Sequence, residues 1–285
     1  MTIYNLGSIN LDYFYHVPHM PQAGETLAAS SFFQSLGGKG ANQSVAIARA
    51  GGKVIHIGKI HQKDESFINI MATSGVDLAN VVRADEPTGH AVITIEQETG
   101  ENQILLMAGA NHQITSDMIS QALATAQTGD WALTQNETNL TEEFLRHAKK
   151  AGLKICYSAA PFDKKKLLAV WDLIDLLIVN EIEANEIQNT LKEPPVMWQL
   201  PHLIITKGSA GADYYGQKEK FHQPAIKVKA LDSTGAGDTY LGYVLASLSQ
   251  GKPMREAMAL ASKAASMQVT RYGTADAIPT LAELH

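Results

Sequence analysis

Asp232-Ser233-Thr234-Gly235-Ala236-Gly237-Asp238-Thr239-Tyr240 is the most informative stretch of this chain. Apolar residues then recur at Tyr240, Leu241, Val244, Leu245 and Leu248 before Gly251. That is helical periodicity opened by a glycine-rich turn and closed by a glycine. Such a turn bares backbone N–H groups at the positive end of a helix dipole and lets an anion approach closely. Gly235, Ala236 and Gly237 are the candidate anion hole, suited to charge developing on a transferring phosphoryl group. Asp238 would repel that anion unless it acts on a neighbouring hydroxyl, so we read it as a general base. A plain helix cap would account for Asp238 but not for the paired glycines.

Elsewhere, short apolar runs end in turn residues and alternate with helical patterns. Strands are expected at 3–8, 54–58, 131–134, 154–158, 176–179 and 203–206, and helices at 42–50, 142–151 and 256–267. This alternation predicts an α/β fold, a doubly wound and mostly parallel sheet with helices on both faces. Two stretches break the rhythm. Residues 11–33 are aromatic-rich and carry Pro18, Pro21 and Gly24, and residues 90–106 suit a hairpin turning at Glu98-Thr99-Gly100-Glu101. Both suit antiparallel strands, forming a small β-sheet lid over about 11–36 and 87–107 or an edge extension of the main sheet. One such domain accommodates all 285 residues.

Three further segments end strands or open helices. Gly37-Gly38-Lys39-Gly40-Ala41-Asn42-Gln43 matches neither a phosphate-binding P-loop nor a dinucleotide fingerprint. Its backbone, with Lys39 and Asn42, suits a polyhydroxylated ligand. Asn10 and Asp12 follow the first strand, where ligands bind in open α/β sheets, or form an ordinary Asx turn. Asn180-Glu181-Ile182-Glu183 follows a buried strand and suits Mg²⁺, directly or through water, or equally an acidic helix start. Thr206-Lys207-Gly208 follows another strand and suits a nucleotide contact or a tight turn.

Lys and Arg number 23 against 29 Asp and Glu, a net charge of −6 that argues against nucleic acid as a partner. Lys164-Lys165-Lys166 is read as a solvated helix start. The one cysteine, Cys156, lies in an apolar run and is expected to be a buried strand residue. With no disulfide, no secretory pattern in the first residues and no membrane-length apolar run, the expected location is the cytoplasm. The ten histidines form no paired metal spacing, and no GxSxG elbow occurs.

In this order the motifs resemble the ribokinase-like (PfkB-type) carbohydrate kinase family along nearly the whole chain, most strongly at 37–43 and 232–238. The resemblance implies a doubly wound α/β kinase with a small β lid. It implies an ATP-dependent enzyme that transfers the γ-phosphate to a hydroxymethyl group of a small sugar, with D-ribose as the acceptor in the branch that this chain looks most like. Nucleoside, ketohexose or sugar-acid acceptors are the alternatives within the family, and a non-catalytic sugar- or nucleotide-binding regulator is the alternative outside it. By the same resemblance Asp238 is the catalytic base, and Asn10, Asp12, Gly38, Lys39, Asn42 and Glu137 bind the sugar. Asn180 and Glu183 position Mg²⁺ and phosphates, and Thr206 and Gly208 contact the nucleotide. Asp232 and Thr234 match a loop for a monovalent cation, K⁺, though Ala277 stands where ribokinases often carry serine. Lids of the family often pair, which implies a homodimer. The segment 189–198 is shorter than is usual in the family, which leaves the adenine contacts open.

Overall fold

This computed structural model describes residues 1–284. In chain order the elements are β1 (Thr2–Leu6), β2 (Asn10–Val17), β3 (Ser31–Gly37), α1 (Lys39–Arg49), β4 (Lys53–His61), α2 (Asn69–Thr73) and β5 (Val81–Ala84). There follow β6 (Gly89–Glu96), β7 (Asn102–Met107), α3 (Ser116–Leu123), β8 (Trp131–Thr134), α4 (Thr141–Lys150), β9 (Lys154–Ser158) and α5 (Lys164–Val170). The chain ends with β10 (Leu176–Asn180), α6 (Glu181–Leu191), β11 (His202–Thr206), β12 (Ala212–Gly216), β13 (Lys220–Gln223), α7 (Ala236–Ser249) and α8 (Met254–Gln268).

Nine strands form the main sheet in the order β13-β12-β11-β10-β9-β8-β1-β4-β5. From β11 to β5 every pairing is parallel, and only β12, paired antiparallel with both β11 and the edge strand β13, runs the other way. The central strands are mostly apolar because both faces are covered, with Asn5 and His56 as buried polar exceptions. Ile3, Leu133, Cys156, Ile178 and Ile204 pack with α1, α7 and α8, while Leu6, Ala132, Ile155, Tyr157 and Leu177 pack with α3 and α4 on the opposite face. Alternate residues of each strand thus serve opposite layers. Cys156 is fully buried in β9, and burial pushes its thiol pKa up, leaving an inert core residue. The lysine run opens α5 behind an Asp163 cap, as its sequence suggests.

The small sheet has the order β3-β2-β6-β7. Its hairpins β2–β3 and β6–β7 are antiparallel, but β2 and β6, at its centre, pair in parallel from Asn10↔Gly89 to Val17↔Glu96. Two hairpins distant in sequence meet along their inner strands, an arrangement that local turn signals do not encode.

Two close backbone approaches set the geometry. A Cβ on Gly40 would lie 2.3 Å from the Gly7 Cα, so α1 starts directly against the end of β1. A Cβ on Gly242 would lie 2.4 Å from the Ala46 Cβ, so α7 and α1 touch at a glycine. The Gly242→Val variant must separate these helices and is expected to lose about 1–3 kcal/mol. Thermal unfolding checks this: the melting temperature should fall by about 2–5 °C, and an unchanged one would contradict the contact.

Candidate active site

The carboxyl ends of β1, β8, β10 and β11 and the starts of α1, α6 and α7 converge on one side of the main sheet. Ligands of open α/β sheets bind at this edge. Two clefts meet there, and both are walled by Thr206 and Gly237. The larger, about 700 Å³, runs between residues 225–230 and α8, with Tyr240 in its wall. The smaller, about 190 Å³, is walled by Lys39, Gln43, Asn180, Glu183 and Asp238 among others.

Gly235 opens α7 with φ 75°, a left-handed conformation that favours glycine. No side chain caps this helix. The amides of Gly237 and Asp238 lie in its first turn, where helices have no internal acceptor, and they meet the wall of the cleft. The Asp238 carboxylate takes no part in capping. It accepts from Gln43 Nε2 at 2.8 Å and from Asn42 Nδ2 at 3.3 Å, both on α1. This geometry departs from the helix-cap alternative. Asn42 Oδ1 is buried without a partner among the described residues, an acceptor available to a ligand hydroxyl.

Lys39 stands between carboxylates. Asp238 raises its pKa against burial, with Glu137 and Glu183 adding, so it remains an ammonium ion. Glu137 also accepts from the Lys39 backbone N–H at 3.0 Å and from the Ser8 hydroxyl, so it anchors the start of α1. Asn10 begins the small sheet instead of ending the first strand. Its Oδ1 accepts from Asn111 Nδ2 at 2.7 Å, and Asn111 also grips the backbone of Ile9. Asp12 lies over Gly37, where a Cβ would fall 1.9 Å from its carboxylate. Burial, with Glu137 adding, pushes the Asp12 carboxyl up to about 7.

Asn180 and Glu183 form a capping box at α6: Glu183 N–H donates to Asn180 Oδ1 at 2.8 Å and Asn180 N–H to Glu183 Oε2 at 2.9 Å. Both nevertheless wall the smaller cleft. Burial raises the Glu183 pKa, and Asp238 adds to the rise. A buried and a half-buried carboxylate, Asp238 and Glu183, wall one cleft, which fits a hard divalent cation such as Mg²⁺. Thr206 and Gly208 both wall the larger cleft.

The loop matched to a monovalent cation is different. Asp232 Oδ1 accepts from Thr234 N–H at 2.9 Å, Asp232 Oδ2 from Gly273 N–H at 3.2 Å, and the Thr234 carbonyl from Gln268 Nε2 at 2.9 Å. Each of these oxygens accepts one protein donor, and Ala277 supplies no hydroxyl.

Residues 3–281 match the model of the pfkB family carbohydrate kinases. The chain belongs to that family. It is similar to a ribokinase of Haemophilus influenzae, 33% identical with 99% of this chain and 96% of the relative covered. Among solved structures, a Cryptococcus neoformans ribokinase in complex with ADP superposes with a TM-score of 0.85 at 32% identity, over 99% of this chain and 98% of that one. An Arabidopsis thaliana ribokinase complexed with ribose and ATP gives a TM-score of 0.84 at 25% identity, over 99% and 96%.

Sequence reading missed several parts of this kinase site. Ser8, Asn111 and Gln135 hold other site residues, and only their side-chain bonds reveal it. Gln43 stood inside a quoted motif without a role. Residues 225–230 have no periodicity, yet Ile226 and Val228, 47% and 44% exposed, wall the larger cleft. The short 189–198 segment packs elsewhere through buried Trp198, and none of its residues walls either cleft.

Only ionised Asp12 is purely an acceptor, and its raised pKa means that the proton is held below about pH 7. The KM for a carbohydrate acceptor should therefore rise as pH falls below about 7, approaching tenfold per unit. The KM for nucleotide should stay flat, and Asp12→Asn should remove the dependence. An acceptor KM that is constant between about pH 6 and 8 would contradict the role.

Proposed function

We propose that the chain is an ATP-dependent kinase of D-ribose that phosphorylates the primary hydroxyl. The observation that carries this reading is the Asp238 carboxylate, fixed by α1 beside an uncapped helix start where an apolar cleft meets a polar one. The apolar cleft suits a nucleoside, and the polar one suits the reacting phosphate and acceptor. Asn10, Asp12, Gly38, Lys39, Asn42 and Glu137 would orient the sugar. Asp238 takes the proton of the attacking hydroxyl as the new O–P bond forms and the bond from the γ-phosphorus to the ADP oxygen breaks. The amides of Gly235 and Gly237 stabilise the charge on the transferring group, while the Ala236 N–H, expected to join them, donates to the Ser233 carbonyl at 3.2 Å. Lys39 adds a buried positive charge on the acceptor side.

When bound with the nucleotide, Mg²⁺ neutralises phosphate charge. Asn180 and Glu183 would hold it, directly or through water. K⁺ is left out of this reading. The small sheet would close on the sugar as a lid and exclude water, which otherwise competes as acceptor. Leu105 and Ile104 of β7, 72% and 62% exposed, support pairing of two lids in a homodimer. No helix among the described residues is long and apolar enough to cross a membrane. The reading places the enzyme in the cytoplasm, where its ATP is found. The ribokinase relatives favour ribose over nucleoside, ketohexose and sugar-acid acceptors.

ADP release across a panel of sugars and nucleosides tests the proposal, with choline chloride replacing KCl in parallel. Ribose should turn over fastest, the two salts should agree within about twofold, and Asp238→Asn should lose at least about a thousandfold in kcat while keeping its fold. Faster turnover of another acceptor, or an active Asp238→Asn, would contradict it.

A further inference from the structure

We propose that Gln43 is the positioning residue for Asp238, and that a buried chain of side chains running back to His56 fixes which way its amide points. This rests on the reading of Asp238 as the base.

The chain starts at a group with one available polarity. His56 Nε2 lies 3.1 Å from the Gly7 carbonyl, which only accepts, so Nε2 carries the hydrogen. His56 Nδ1, 2.9 Å from Ser44 Oγ, is then the acceptor and Ser44 the donor. Ser44 Oγ in turn accepts from Asn5 Nδ2 at 2.8 Å, and the same nitrogen donates to the Gly40 carbonyl at 2.9 Å. Asn5 therefore presents Oδ1 to Gln135, whose Nε2 donates to it at 3.0 Å and to Gln43 Oε1 at 2.7 Å. Gln43 is left with its NH₂ facing Asp238 Oδ1 at 2.8 Å. Turning any one amide would set oxygen against oxygen. Burial holds the His56 imidazole neutral, its pKa down to about 4, so the starting polarity persists at neutral pH.

Packing alone does not call for such a chain. Asn5, Gln43, Ser44, His56 and Gln135 are all at most 1% exposed, beside a layer built mainly of hydrophobic side chains. Buried polar groups are costly unless partnered, and Gln135 Oε1 is buried without a partner among the described residues, so the chain is held at a cost to stability. The chain ends on a carboxylate that reacts, and what it delivers there is orientation. Gln43 holds Oδ1 by a short bond. Oδ2, whose partner among the described residues is Asn42 at the longer 3.3 Å, is the oxygen left to take the proton.

The test is a double-mutant cycle in the full chain, with kcat and both KM values measured for Gln43→Met, Gln135→Met, the double variant and Asp238→Asn. Methionine keeps length and removes the donor. Gln43→Met should lower kcat about tenfold or more with each KM within about threefold, and Gln135→Met should show the same pattern more weakly. The double variant should be no worse than Gln43→Met, since both act through one bond. A kcat for Gln43→Met within about threefold of the parent, KM values that move with kcat, or multiplying effects in the double variant would each overturn the proposal. If Gln43→Met fails to fold, Gln135→Met decides: lowered kcat at constant KM supports the chain, and unchanged kcat overturns it. An inactive Asp238→Asn beside an unaffected Gln43→Met defeats this inference alone, whereas an active Asp238→Asn defeats the assignment of the base.

Discussion

The structure depends on burying one carboxylate where two helices start. Asp238 sits in the first turn of α7, and the groups that bond it come from α1, almost two hundred residues away in sequence. That bond forms only if the helices approach closely, and the Gly242–Ala46 contact lets them. It also requires that α1 be held at the end of β1, which the Gly7–Gly40 contact and Glu137 ensure. The carboxylate would be costly to bury alone. Gln43, Asn42 and the nearby Lys39 ammonium hold it beside the amides of Gly235 and Gly237. In the proposed reading a base and an anion hole then lie within one helical turn.

Much of this was legible before any coordinates. Glycine-rich turns and apolar periodicity at 235–248 mark the start of α7 because backbone exposure and helical phase leave local traces. The strands at 131–134 and 154–158 lie where the apolar runs placed them, since strands covered on both faces read as continuous hydrophobic segments. Asn180 and Glu183 show the limit of local reading. On sequence a Mg²⁺ site and an acidic helix start are alternatives; in the structure the pair forms a capping box that also walls the cleft.

What was not legible is long-range. The parallel pairing of β2 with β6 joins two hairpins whose own turns say nothing of each other. The amide chain from His56 to Asp238 draws on β1, α1, β4, the end of β8 and α7, so no window of sequence contains it. Residues 225–230 form a cleft wall by position alone. Gln268 lies one residue past the helix expected at 256–267, yet its amide meets the Thr234 carbonyl where an ion is expected from the resemblance.

The central claim is that Asp238 and the open end of α7 direct phosphoryl transfer to a sugar hydroxyl and away from water. The most direct test is phosphorus NMR of the products formed from ATP, Mg²⁺ and ribose. The account predicts a phosphate monoester on the primary carbon of ribose, equal in amount to the ADP formed. Free phosphate accumulating in its place, or a monoester on another ribose oxygen, would contradict it.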